Sequence, residues 1–155
     1  MTTSKRIALG KAAPAVYKAI DALDESVELD PSLRELIRIR ASQINGCTYC
    51  IDYHATDARD AGEAQRRIWT LSHWRHTPFF SDRERAALAL TEALTDLRAN
   101  GVPDDLYAEA AGHFDEAELG NLIGAIIAIN AWNQVGVGTA LRPPAEVEEA
   151  VAQGS

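Results

Sequence analysis

The chain lacks the features that would direct it to a membrane, to a nucleic acid or out of the cell. Its most apolar stretch, Leu122 to Trp132, is too short to span a bilayer and is broken by Gly124 and Asn130. Met1 to Gly10 holds no apolar h-region and no small-residue cleavage site, so no signal peptide is expected. Lys and Arg number 15 against 23 Asp and Glu, and the net charge of −8 argues against a basic nucleic-acid footprint. The arginines form no block, and no repeat, linker or low-complexity tract divides the 155 residues. The expected compartment is the cytoplasm, where structural disulfides are rare. Against that background there are only two cysteines, three residues apart, which reads as a reactive or metal-binding pair.

No period-2 strand pattern is present, whereas helical periodicity is nearly continuous. The sequence predicts a single all-α domain of six or seven helices, with its core over residues 10–141 and a mobile acidic tail over 143–155. An amphipathic stretch runs from Val16 to Leu29. Asp30 offers an N-cap with Pro31 at the first helical position, and Ser32 with Glu35 offers a competing capping box. Asn45-Gly46 should end that helix, because both residues tolerate the left-handed conformation. A helix is predicted from about Cys47 to Ala61 and a shorter one from Glu63 to Trp74, followed by a loop from His76 to Ser81. Ser81 with Glu84 caps a helix that ends near Asn100-Gly101. Pro103 opens a short helix closed at Gly112, and Asp115 with Glu118 caps a last helix from Ala117 to about Leu141.

That last helix is apolar around most of its circumference, from Leu122 through Ile129, and such a helix is covered on all sides. A subunit interface is the expected second cover, with a central core helix in a monomer as the alternative. Asn130 and Asn133 interrupt the apolar run and, if buried, need hydrogen-bond partners at a neighbouring helix end or in the site.

The chemistry concentrates at Cys47-Thr48-Tyr49-Cys50-Ile51-Asp52-Tyr53-His54. At roughly 100° per residue, Cys47, Cys50 and His54 fall within about 60° of one another on a helix, with Tyr49 nearly opposite. The helix N-terminus favours a thiolate by about 0.3–1 kcal/mol, less than about one pKa unit. A thiol starting near ~8.5 stays mostly protonated on that effect alone, so His54 is needed to exchange the proton at neutral pH. A CxxC pair can also close a disulfide across one helical turn, which permits attack by one thiolate and resolution by the other.

A thioredoxin-like site belongs to a βαβ setting that this chain lacks, and haem attachment requires histidine where Ile51 stands. Zinc remains open, since His73, His76 or His113 could complete a set begun by Cys47, Cys50 and His54, although no second CxxC exists. Two buried structural thiols are a further alternative. Read alone, Glu35 is a surface residue paired with Arg38 at i,i+3, and His73 and His76 either line a pocket beside Trp74 or sit in an exposed loop.

Cys47-x-x-Cys50-x-x-x-His54, with Glu35 twelve residues before Cys47, resembles the AhpD-like alkylhydroperoxidase family of the carboxymuconolactone decarboxylase superfamily. Pro78 to Leu88 resembles that family's loop into its next helix, and Ile129-Asn130-Ala131-Trp132-Asn133 resembles its final helix. The resemblance implies an all-helical fold, a trimer or hexamer, and no cofactor or metal. It implies that Cys50 attacks the hydroperoxide, that Cys47 resolves it, and that Glu35 and His54 relay protons. Tyr49 departs from the pattern, because the well-studied branch has histidine between the cysteines; tyrosine titrates near ~10 and carries protons poorly at pH 7. Tyr49 is therefore a relay, pocket or packing residue. The implied activity is thiol-dependent reduction of organic hydroperoxides or hydrogen peroxide, with a dithiol or redox protein as reductant. The alternatives are a redox sensor using the same disulfide and an acid–base enzyme like the superfamily's decarboxylase branch.

Overall fold

The computed structural model describes residues 6–145. Within them, nine α-helices and one 3₁₀ segment follow in order, with no strand: α1 Leu9–Ala12, α2 Pro14–Glu25, α3 Pro31–Asn45, α4 Thr48–Asp60, α5 Gln65–Thr70, the 3₁₀ segment Leu71–His76, α6 Asp82–Thr95, α7 Leu97–Asn100, α8 Asp104–His113 and α9 Glu116–Gly138. The all-α class holds. Most of the proposed acidic tail, residues 146–155, lies outside the described residues.

The count exceeds six or seven because breaks fall where tertiary partners or proline override local periodicity. Ala13 precedes Pro14 and takes φ −142°, ψ 69°, which separates α1 from α2. The first amphipathic helix stops at Glu25 instead of Leu29. Arg34 there donates to the carbonyls of Asp24 and Val27, and the Glu28 N–H goes to Asn121 Oδ1 at 2.7 Å. Asp96 breaks the long helix after Ser81 with φ −114°, ψ 69°. The Glu63–Trp74 stretch divides into α5 and the 3₁₀ segment, α8 runs past Gly112 to His113, and α9 ends at Gly138.

Helix α3 is the centre of the packing, touching α4, α6, α9 and the 3₁₀ segment. Its cap is Asp30, whose Oδ1 accepts from Leu33 N at 3.0 Å. The competing box does not form: Ser32 Oγ donates to Glu63 at 2.6 Å, and Glu35 is committed elsewhere. Leu33 and Ile37 face α6, α8 and α9 in one apolar cluster. Leu36 and Ile39 face α4, the 3₁₀ segment and α6 in another, with Trp74 and Phe80. A helix buried on both sides in this way is held along its length, and so are the polar side chains it carries toward α4.

Helix α9 is fastened to the C-terminal end of α3 by amides. Asn45 Nδ2 donates to Asn130 Oδ1 at 2.8 Å and to Asn133 Oδ1 at 3.0 Å. Asn133 Nδ2 donates in turn to Ser42 Oγ at 2.9 Å, and Asn130 Nδ2 to Thr95 Oγ1 at 3.1 Å. Buried amides left unpaired cost about 1–3 kcal/mol each, so the network fixes one axial register for α9. The two asparagines thus bind a neighbouring helix end. Helix α9 buries Leu119, Leu122, Ala125, Ile126, Ala128 and Ile129 but leaves Ile127 and Val137 about half exposed.

Candidate active site

Gly46 ends α3 at φ 68°, in the left-handed region, and turns the chain into α4. Cys47 is the N-cap of α4 and its Sγ accepts from Cys50 N at 3.3 Å. Cys47 N donates to Ser42 O at 3.1 Å, which ties the cap to the amide network of α3 and α9. Cys47 and Cys50 form a disulfide with their Cα atoms 5.3 Å apart. Both are buried.

The disulfide rests against the backbone of α9 at Gly136. A Cβ at that position would lie 2.6 Å from Cys47 Sγ and 3.3 Å from Cys50 Sγ. The close approach explains a glycine at this buried position in the last turn of α9. Sequence reasoning missed Gly136. Its available signal was an isolated glycine inside an apolar helical pattern, which marks a packing or functional reason.

One turn after Cys50, His54 is buried, and its Nδ1 lies 2.9 Å from Glu35 Oε2. The other carboxylate oxygen, Oε1, accepts from Arg38 Nη1 at 2.5 Å. Arg38 Nη2 reaches both oxygens of Asp24 at 2.8 Å, and Arg34 also binds Asp24. Glu35 therefore serves both of its candidate partners, one with each oxygen. Burial alone would raise its carboxyl pKa; the hydrogen bond and charge of His54, together with Arg38, outweigh burial and hold it below the ordinary carboxylate value. An ionised Glu35 only accepts, so the hydrogen sits on His54 Nδ1 and Nε2 is left for other chemistry.

Cys50 and His54 line one cavity of about 260 Å³. Its walls include Tyr49 and Tyr53 from α4, Tyr17 from α2 and Trp132 from α9. The Tyr49 and Tyr53 rings stack at 6.1 Å, and Tyr17 meets Trp132 edge-on at 5.0 Å. Tyr49 is thus placed at the cavity. Glu35 is not on that wall and acts on it through His54. A larger space of about 570 Å³ lies between α3 and α4 beside Glu35 and Arg38, but no thiol borders it. A reacting atom must reach sulfur for thiol chemistry, which makes the smaller cavity the candidate site.

His73 and His76 are exposed and border neither cysteine's cavity, and His113 lies on α8. Among the described residues no three His, Cys, Asp or Glu side chains are grouped to hold a metal ion. No helix among the described residues is long and apolar enough to cross a membrane.

Residues 14–93 match the model of the carboxymuconolactone decarboxylase family. The uncharacterized protein YdfG of Bacillus subtilis is 38% identical over 137 residues, covering 86% of this chain and 93% of that protein. The fold matches the crystal structure of a protein of unknown function from Agrobacterium tumefaciens, proposed to be the antioxidant defence protein AhpD, with a TM-score of 0.88 and 37% identity over 92% of this chain and all of that one. It also matches the debrominase Bmp8 with a TM-score of 0.78 and 20% identity, over 88% of this chain and 75% of that one, a likeness of fold alone. The family match spans α2 to α6, including the CxxC segment, Glu35 and His54, and the chain belongs to the AhpD-like proteins of the carboxymuconolactone decarboxylase superfamily.

Proposed function

We propose that the chain is a thiol peroxidase that reduces organic hydroperoxides or hydrogen peroxide through a Cys47–Cys50 dithiol/disulfide cycle, as a cytoplasmic homo-oligomer, a trimer or hexamer. The observation that carries the reading is the disulfide whose Cys50 shares a cavity with a buried histidine oriented by the partly buried carboxylate of Glu35. In the reduced protein, the Cys50 thiolate attacks the terminal peroxide oxygen. The O–O bond breaks, and the departing alkoxide takes a proton held on the His54–Glu35 pair. Cys50 is left as a sulfenic acid. Cys47 then attacks the Cys50 sulfur, the S–S bond forms, and hydroxide leaves as water after taking a proton. Two electrons and two protons from a dithiol or redox-protein reductant reset the pair. Tyr49 serves the cavity as an aromatic wall. The exposed apolar positions Ile127 and Val137 on α9 support the subunit contact.

The test uses reduced protein, one equivalent of cumene hydroperoxide and intact mass followed over time. The expected result is rapid loss of two hydrogens' mass in the wild type and no such loss in Cys47→Ser or Cys50→Ser. Unchanged mass over many minutes would refute the peroxidase reading. The Glu35–His54 pair also suits the superfamily's acid–base chemistry, and that reading predicts turnover of a lactone substrate that survives loss of both cysteines.

A further inference from the structure

The two cysteines of the disulfide line different cavities of opposite charge. Cys50 borders the aromatic cavity, whose charged lining residues are Asp21 and Asp24 with no lysine or arginine. Asp24 is matched by Arg34 and Arg38, which leaves Asp21 to set the sign at that mouth. Cys47 borders a separate cavity of about 290 Å³, lined by Arg6, Arg142, Thr48 and Gly136 and by no carboxylate among the described residues. Arg6 is held there by donating from Nη1 to the carbonyls of Val137 and Gly138, both at 3.1 Å, at the C-terminal end of α9. On a chain of net charge −8, a pocket beside Cys47 whose only charges among the described residues are two arginines is a local inversion of the field.

We propose that the cavity at Cys47 is a separate entry for the reductant, and that it takes a low-molecular-weight thiol carrying a carboxylate or sulfonate. This rests on the dithiol/disulfide cycle proposed above and assigns its reductive half to the Cys47 cavity, separate from the one that takes the peroxide. The thiolate of the reductant attacks Cys47 Sγ, forming a mixed disulfide. The Cys47–Cys50 bond breaks with its electron pair on Cys50 Sγ, which takes a proton in the cavity it shares with His54. A second thiolate attacks the reductant's sulfur in the mixed disulfide, releasing Cys47 as a thiolate that is then protonated. Two thiols become one disulfide, and the protein gains two electrons and two protons. Arginine at the entry contributes twice: it draws in the anionic group and favours the thiolate over the thiol, the form that attacks. The peroxide then meets Cys50 on a side that has no cation to attract the reductant.

The experiment takes protein oxidised with diamide, so that no peroxide is used and failure of the peroxidase reading leaves the outcome unaffected. Its reduction is timed with 2-mercaptoethanesulfonate, 2-mercaptoethanol and cysteamine, each rate divided by the thiolate concentration. The expected order is anionic, then neutral, then cationic, converging as salt rises to about 1 M. Arg142→Glu should slow the sulfonate roughly tenfold, change 2-mercaptoethanol little and speed cysteamine. Equal normalised rates for the three thiols in the wild type, or an equal effect of Arg142→Glu on all three, would overturn the proposal. The site of attack is checked with single-thiol proteins. Cys50→Ser, which keeps Cys47, should react faster with the dianionic disulfide 5,5′-dithiobis(2-nitrobenzoate) than with cystamine. Cys47→Ser should not share that preference, and the same preference in both would also overturn it.

Discussion

Gly136 of α9 stands so close to Cys47 that a single added methyl group would lie 2.6 Å from the sulfur. The contact is between helix backbone and disulfide, and the amides that lock α9 to α3 lie one turn earlier.

Gly136→Ala should therefore weaken the disulfide more than the fold. Overpacking of this kind costs about 1–3 kcal/mol, and the reduced sulfurs can relieve part of it by rotating apart. If about 1.4 kcal/mol falls on the oxidised form alone, the potential of the pair rises by about 30 mV. Redox titration against dithiothreitol buffers reads the shift. An unchanged potential with an unchanged melting temperature would show that the contact is slack.

Glu35→Gln should cut the oxidative half-reaction by about 10²-fold, the low end of what positioned acid–base groups supply. Glutamine keeps the shape but removes the charge that places the hydrogen on His54 Nδ1, and it leaves Arg38 without one of its two carboxylate partners. Stopped-flow oxidation by cumene hydroperoxide across pH 5 to 9 is the readout. A positioning role predicts a displaced pH profile together with the lower rate; a purely structural role predicts a lower rate with the profile in place.

Acid should destabilise the protein through the same ion-pair chain. For Asp24, burial raises the carboxyl pKa, but Arg38 and Arg34 together bring it below the ordinary value; Glu35 is also lowered. Both carboxyls bind protons less readily folded than unfolded. Their contribution is complete above the unfolded values near ~4 and is lost as pH falls through the lower folded ones. Urea midpoints from pH 7 to pH 3 should drop steeply below about 4.5. Glu35→Gln should flatten that drop, and an equally steep one in the variant would count against Glu35 as a contributor.

Much of this site was legible because its signals are local. Cys50 and His54 share a face of α4 and line one cavity, as helical spacing predicts, while Cys47 is the N-cap and lines another; the caps at Asp30, Ser81 and Asp115 all form. What was hidden depends on chain segments far apart in sequence. Asp30 prevailed over Ser32 as the cap because Glu63 drew away the serine and His54 with Arg38 occupied Glu35. Tyr17 and Trp132 meet across 115 positions to wall the Cys50 cavity, and no local pattern announces that pairing. For His73 and His76 the sequence leaves two readings open, a pocket beside Trp74 or an exposed stretch, and the structure gives the second. The tryptophan turns inward with its Nε1 donating to Glu92 at 2.9 Å, and both histidines are exposed.

The bare backbone at Gly136 also works as a wall. With α9 closing one side of the sulfur pair, the aromatic cavity lined by Cys50 and the arginine cavity lined by Cys47 flank it among the described residues. A redox pair enclosed in this way has a directionality that an exposed CxxC turn does not. On the proposed two-entry scheme, oxidant and reductant present in the same solution reach the pair through different cavities.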